Sequence, residues 1–78
     1  MSLSAYVLIR VVGDKTESAF KFISALKGIK SVNTVTGPYD IIALVEATDL
    51  KGLGEMILSK IRTLDGVRET TTCIVVAV

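Results

Sequence analysis

The sequence predicts an α+β sandwich in β-α-β-β-α-β order, a four-stranded antiparallel sheet with both helices on one face. Three observations predict it. Four runs rich in β-branched and aromatic residues are punctuated by turn residues, and the gap between the middle two, Gly37 to Asp40, has room only for a tight reversal. The other two gaps carry apolar residues at helical spacing. The halves of the chain also echo each other: Asp14 and Asp49 stand at equivalent helix starts, and Gly28-Ile29 and Gly66-Val67 at equivalent helix-to-strand joints. Each half is then a split β-α-β unit, and two such units interleave into the ferredoxin-like arrangement.

Taken in order, Ala5 to Val12 is the first strand and Gly13-Asp14-Lys15 breaks it. Asp14 followed by Glu17 has capping-box spacing, so a helix is expected from there, with Ala19, Phe22, Ile23 and Leu26 on its apolar face and Gly28 as its stop. Ile29 to Thr36 is the second strand and Ile41 to Ala47 the third. Thr48 and Asp49 are both good N-caps for a second helix that buries Leu53, Met56, Ile57, Ile61 and Leu64 and leaves Lys51, Glu55, Ser59 and Arg62 outside. Gly52 and Gly54 weaken that helix by about 1 kcal/mol each relative to Ala, which points to a frayed start or to close packing. Asp65-Gly66 ends it, and Val67 to Val78 is the last strand.

Strand alternation reveals more than the helices do. Ala5, Val7, Ile9 and Val11 share one face, while Tyr6, Leu8 and Val12 share the other, interrupted by Arg10. The third strand sets Ile41, Ala43 and Val45 against Ile42 and Leu44; the fourth sets Ile74, Val76 and Val78 against Cys73, Val75 and Ala77. Both sheet faces are therefore largely apolar, and two helices cover only one of them. The second face calls for another chain, so a homodimer formed sheet to sheet is expected.

Composition narrows the function. The 78 residues hold one domain, 1–78, and the nine basic and eight acidic residues are scattered, giving a net charge of +1. No concentrated basic run exists to release counterions, which argues against direct nucleic-acid binding. With no His and one Cys the usual ligands of transition metals and haem are missing, and no cofactor is expected. The longest apolar runs, Ile41 to Val45 and Ile74 to Val78, are far short of a membrane span, and Met1-Ser2-Leu3-Ser4 has no export signal. Together with the single Cys73, this suits a cytoplasmic address.

Chemistry concentrates at Gly37-Pro38-Tyr39-Asp40. Gly tolerates positive φ, Pro fixes its own, and Asp bonds nearby amides, so the four residues form a tight turn. Some of its N–H groups face outward beside a carboxylate, a setting for a small zwitterion; a plain hairpin turn explains the same residues.

The combination T-G-P-Y-D-I-I-A-L-V-E, an aspartate-capped amphipathic helix and then L-D-G-V-R-E-T-T-T-C-I-V-V resembles the effector-binding (RAM) domain of the leucine-responsive/asparagine-regulator (Lrp/AsnC) family. The G-x-Y-D turn and the G-V-x-x-T-x-T start of the last strand are its most specific pieces. The resemblance implies a dimer through sheet faces, commonly assembled into a ring of dimers, with an amino acid effector at contacts between dimers. Full-length Lrp/AsnC regulators carry an N-terminal helix-turn-helix domain; Ala5 already opens the first strand, so a stand-alone domain without it is expected, one that acts on transcription indirectly by assembling with itself or with such regulators. Carried onto this chain, the ligand-binding residues are Gly37, Pro38, Tyr39, Asp40, Thr70 and Thr72. Asp40 would take the ammonium; turn amides and the two hydroxyls would hold the carboxylate or a polar side chain. Pro38 removes one amide donor, and the three consecutive threonines also read as an ordinary solvated strand start.

Three rival readings remain beside this one. Small enzymes share the fold and the dimer, but they use a His or a convergent acid/base set that is missing here. The ACT domain, another amino-acid-binding module, has a Pro-Gly in the loop after its first strand, where this chain has Gly13-Asp14-Lys15-Thr16. A purely structural co-assembly partner would need the apolar sheet face and not Asp40.

Overall fold

Four strands lie in the order β2-β3-β1-β4, each neighbouring pair antiparallel, in a computed structural model that describes residues 2–76. The elements are β1 (Leu3–Val11), a 3-10 turn (Gly13–Lys15), α1 (Thr16–Ser24), β2 (Ile29–Thr34), β3 (Ile41–Ala47), α2 (Leu50–Met56) continuing into a π-helical stretch (Ile57–Ile61), and β4 (Val67–Ile74). The expected fold class is the observed one. The second strand stops at Thr34 and the fourth at Ile74, both short of the expected ends; Ala77 and Val78 lie outside the described residues.

The central pair sets the register. Val7 faces Ala43 and Ile9 faces Ile41 across β1 and β3, and all four are fully buried beneath the helices. From α1 come Ala19 and Ile23, and from the second helix Leu53, Ile57 and Ile61, to complete a single core. Each Val, Leu or Ile side chain buried there contributes about 1.5–3 kcal/mol by leaving water, and a slip of one residue in register would turn the whole set to the other face.

Two local expectations differ from the structure. Asp14 does not cap α1: the chain enters through the 3-10 turn, where the Lys15 N–H donates to the Val12 carbonyl at 2.9 Å, and no side chain caps the helix. The turn takes up residues 13–15 and moves the N-cap of α1 to Lys15, so Asp14 is not in the N-cap position that a capping box requires. Phe22 points to solvent, 47% exposed, and Phe20 packs on the core instead, because the face fixed by Ala19 and Ile23 passes over position 20. At the second helix Asp49 is the N-cap, its Oδ1 accepting from the Gly52 N–H at 2.7 Å.

The helix-to-strand joints bear out the echo between halves. Gly28 and Gly66 have φ of 94° and 91°, the left-handed region where a side chain is strained. Both are also crowded: a Cβ at Gly28 would stand 2.9 Å from the Glu46 carbonyl oxygen, and one at Gly66 would overlap the Lys15 side chain.

Among the described residues no helix covers the other sheet face. Tyr6 lies between Leu44 and Cys73, and Leu8 between Ile42 and Thr71, in a continuous apolar patch. Tyr6 is 46% exposed. Arg10 and Glu69, paired across β1 and β4 at 3.6 Å, border it.

Candidate functional site

The turn between β2 and β3 is held by Asp40 from three directions. Its carbonyl accepts from the Val35 N–H and its own N–H donates to the Ile9 carbonyl, both at 2.9 Å. Its carboxylate oxygen Oδ2 accepts from the Val11 N–H at 2.8 Å. Register explains the last bond: with Ile9 opposite Ile41, the next pairing would set Val11 opposite Tyr39, but β3 has already turned away. The Asp40 side chain stands in for the missing strand carbonyl. One oxygen is thereby committed, and the second, with the remaining lone pairs, stays available as an acceptor.

Gly37 turns with φ of 137°, a value that favours glycine. The N–H groups of Gly37 and Tyr39 find no acceptor among the described residues, and Pro38 has none to offer. Two outward donors and a carboxylate therefore sit together at the exposed rim. Tyr39 is half-buried, and its hydroxyl shares a hydrogen bond of 3.0 Å with Thr71 Oγ1. Since β1 lies between β3 and β4, the ring bridges over β1 on the face without helices.

The six residues singled out in the sequence do not meet within one chain. Gly37, Pro38, Tyr39 and Asp40 form one group. Thr70 and Thr72 pair with Ile9 and Val7, on the helix side of the sheet, and line a groove of about 400 Å³ against Leu53, Ile57 and Arg62. Thr71, which the sequence reading passed over, is the threonine that touches the turn. Strand alternation separates 71 from 70 and 72 onto opposite faces; which face the tyrosine chooses is a tertiary matter. Arg62, read as merely outside, borders the groove, and its place in the row Leu50, Gly54, Leu58, Arg62 at four-residue spacing was visible in the sequence.

Among the described residues no three His, Cys, Asp or Glu side chains cluster as a metal site. Among the described residues no helix is long and apolar enough to cross a membrane.

The scaffold is ferredoxin-like, and the comparisons define its class as a regulatory effector-binding module. The particular family follows from comparison: the model of the Lrp/AsnC ligand binding domain matches residues 4–78, and the chain belongs to that family. A solved structure, TTHA0845 from Thermus thermophilus, superimposes with a TM-score of 0.93 at 34% identity, covering 97% of this chain and 95% of that one. An uncharacterized HTH-type transcriptional regulator of Pyrococcus furiosus, PF0250, is 29% identical over 77 residues, 95% of this chain and 51% of the regulator. A homocitrate synthase of Saccharolobus solfataricus is 40% identical over 60 residues, which is 77% of this chain but only 13% of the synthase. The chain thus spans a small part of the synthase and about half of the regulator.

Proposed function

We propose that this chain is a non-catalytic module that binds an amino acid between subunits and converts that binding into assembly. The observation that carries the reading is the division of the candidate residues: the turn lies at one end of the sheet, with Tyr39 on its open face, and Thr70 and Thr72 lie on the helix side. A ligand touching both groups needs two subunits, the turn of one and β4 of another. Asp40, through its uncommitted oxygen, takes the ammonium; the amides of Gly37 and Tyr39 and the hydroxyls of Thr70 and Thr72 serve the carboxylate or a polar side chain. Pro38 fixes the turn.

Assembly begins at the open sheet face. Domains of this family generally form oligomers. The patch around Tyr6, Leu8, Ile42 and Leu44 supports a homodimer packed sheet to sheet, on which dimers join further, as a ring of dimers. A ligand bridging two dimers stabilises the assembly that contains the bridge. The same module accompanies a helix-turn-helix regulator in one relative and a synthase in another, which supports a role as a transferable sensor and not as the reacting part. Its output on transcription would be indirect, through assembly with itself or with DNA-binding Lrp/AsnC relatives, in the cytoplasm.

The test is mass in solution by light scattering, with and without each common amino acid. A mass above that of a dimer, shifting with one or a few amino acids, is the expected result. A mass indifferent to all of them, with no heat of binding by calorimetry, would leave only a structural assembly role.

A further inference from the structure

Tyr39 divides its work between two surfaces. Its N–H lies at the exposed rim with that of Gly37, while its phenol crosses β1 on the face without helices and meets Thr71 Oγ1 at 3.0 Å. On that face Thr71 stands beside Leu8 and, by strand alternation, between Glu69 and Cys73. The hydroxyl pair therefore marks the border between the apolar patch and the Arg10–Glu69 ion pair.

Two observations set this contact apart from an ordinary surface hydrogen bond. The first is where it acts. The turn is closed by the Val35 N–H donating to the Asp40 carbonyl and is tied to β1 through Asp40. Of residues 36 to 39, which that bond encloses, Tyr39 is the one whose side chain is hydrogen-bonded among the described residues. Gly37 at the tip has open space around it, so the phenol is the strut for the second half of the turn. The second observation is chemical. Tyr39 and Thr71 are both half-buried, and each hydroxyl already has the other as its partner. Arg10 and Glu69 neutralise each other in the same way at 3.6 Å. A polar group covered without a partner is costly, whereas one already paired can be covered at little cost. The polar edge of the patch is thus ready to receive another chain, and a hydrogen bond shielded from water there becomes stronger.

We propose that Tyr39 and Thr71 link the sheet-to-sheet dimer to the turn. A second copy of this chain, seated on the open face, holds the phenol against Thr71 and so sets Gly37 to Asp40 in one geometry. The phenol is then a positioning group and not a ligand contact, and Thr71 becomes part of the support of the site. In an isolated subunit the Asp40 bonds persist but the strut is exposed to water, so the turn opens more often. The inference rests on the dimer proposed above and is independent of which ligand the turn receives.

Amide hydrogen exchange read residue by residue by NMR, with mass by light scattering on the same samples, tests it. The Val35 and Asp40 amides report the turn; the Glu46 amide, bonded to the Gly28 carbonyl at 2.8 Å near the other end of β3, reports the sheet. Thr71→Val keeps the shape of the side chain and removes its hydroxyl. It is expected to speed exchange at Val35 and Asp40 by roughly two- to tenfold, with Glu46 and the mass unchanged. Thr71→Ser should restore the parent rates. Tyr39→Phe should match Thr71→Val, and the double variant should go no further, because each removes the same bond. Tyr6→Glu places a charge between Leu44 and Cys73 and is expected to separate the copies. Its Val35 and Asp40 amides should accelerate by a larger factor than Glu46, and adding Thr71→Val should then change them little. The proposal is overturned if dimeric Thr71→Val exchanges like the parent, or if Val35, Asp40 and Glu46 accelerate together. It is overturned equally if separated Tyr6→Glu subunits hold the turn as firmly as the parent relative to Glu46, or if Tyr6→Glu leaves the dimer intact. A parent that is monomeric at every concentration overturns the dimer reading and this link with it. No ligand enters the experiment, so a failure of amino acid binding is read separately.

Discussion

Asp40→Ala should destabilise the protein even in the absence of any ligand. The carboxylate holds the Val11 N–H at 2.8 Å in a position that strand pairing no longer serves, and Val11 is itself a core residue, 6% exposed. Leaving a buried amide without its acceptor costs about 1–3 kcal/mol. In a domain of this size each kcal/mol moves the melting temperature by roughly 4–8 °C, so a loss of about 2 kcal/mol corresponds to roughly 8–16 °C. Asp40→Asn keeps an oxygen in the same place and forfeits only the added strength of a charged acceptor, so its loss should be about half as large. The assay is thermal unfolding followed by circular dichroism at one fixed protein concentration, because association itself shifts the midpoint. A melting temperature for Asp40→Ala within about 2 °C of the parent, or an Asn variant as weak as the Ala one, would refute the role assigned to the carboxylate. The outcome also bears on function. Ligand binding lost in the Ala variant would confound a missing contact with a loosened turn, which makes Asp40→Asn the variant to use in ligand titrations.

Gly66→Ala forces a side chain into a left-handed conformation and against Lys15 and Val12, and should cost at least about 1–2 kcal/mol, read as a lower urea midpoint with unchanged slope. Gly37→Ala carries the backbone strain without the crowding, since nothing lies within 4 Å of a Cβ there, so it should cost less than Gly66→Ala in the same titration. Asp49→Ala removes the cap on the Gly52 amide and should cost about 0.5–2 kcal/mol by thermal unfolding, with Asp49→Ser close to the parent. Lys15 lies 3.1 Å from Asp65, whose hydrogen bond and charge, aided by Asp14, raise the ammonium's pKa above its usual 10.5. A pKa raised on folding contributes stability that is fully present below 10.5 and is lost as pH rises through the folded value. The contribution is small because the pair is exposed, and Asp65→Asn should flatten this part of the urea-midpoint profile above pH 10.5. An unchanged alkaline profile in that variant would count against the pair.

The sequence alone determined the element order, the reversal at Gly37 to Asp40, the two-faced apolar alternation of the central strands and the buried row of the second helix. Each rests on local chemistry or on a period of two or about four, and such signals survive without knowledge of neighbours. The Asp49 cap and the matched joints at Gly28 and Gly66 were legible for the same reason. Asp14 was misread because the chain leaves β1 through a 3-10 turn that occupies residues 13–15 and shifts the N-cap of α1 to Lys15. Phe22 was misread because its period fits the stripe while the packing angle of α1 favours Phe20. Only tertiary structure decided the candidate site. It placed Asp40 beside Val11, 29 positions away in the chain, and Tyr39 on Thr71, 32 away. It also put Thr70 and Thr72 on the far side of the sheet, against Leu53, Ile57 and Arg62. Strand alternation says that residues 70 and 72 share a face, but which face meets the helix follows from the register of β4 against β1, a long-range choice made by the buried side chains of the whole sheet.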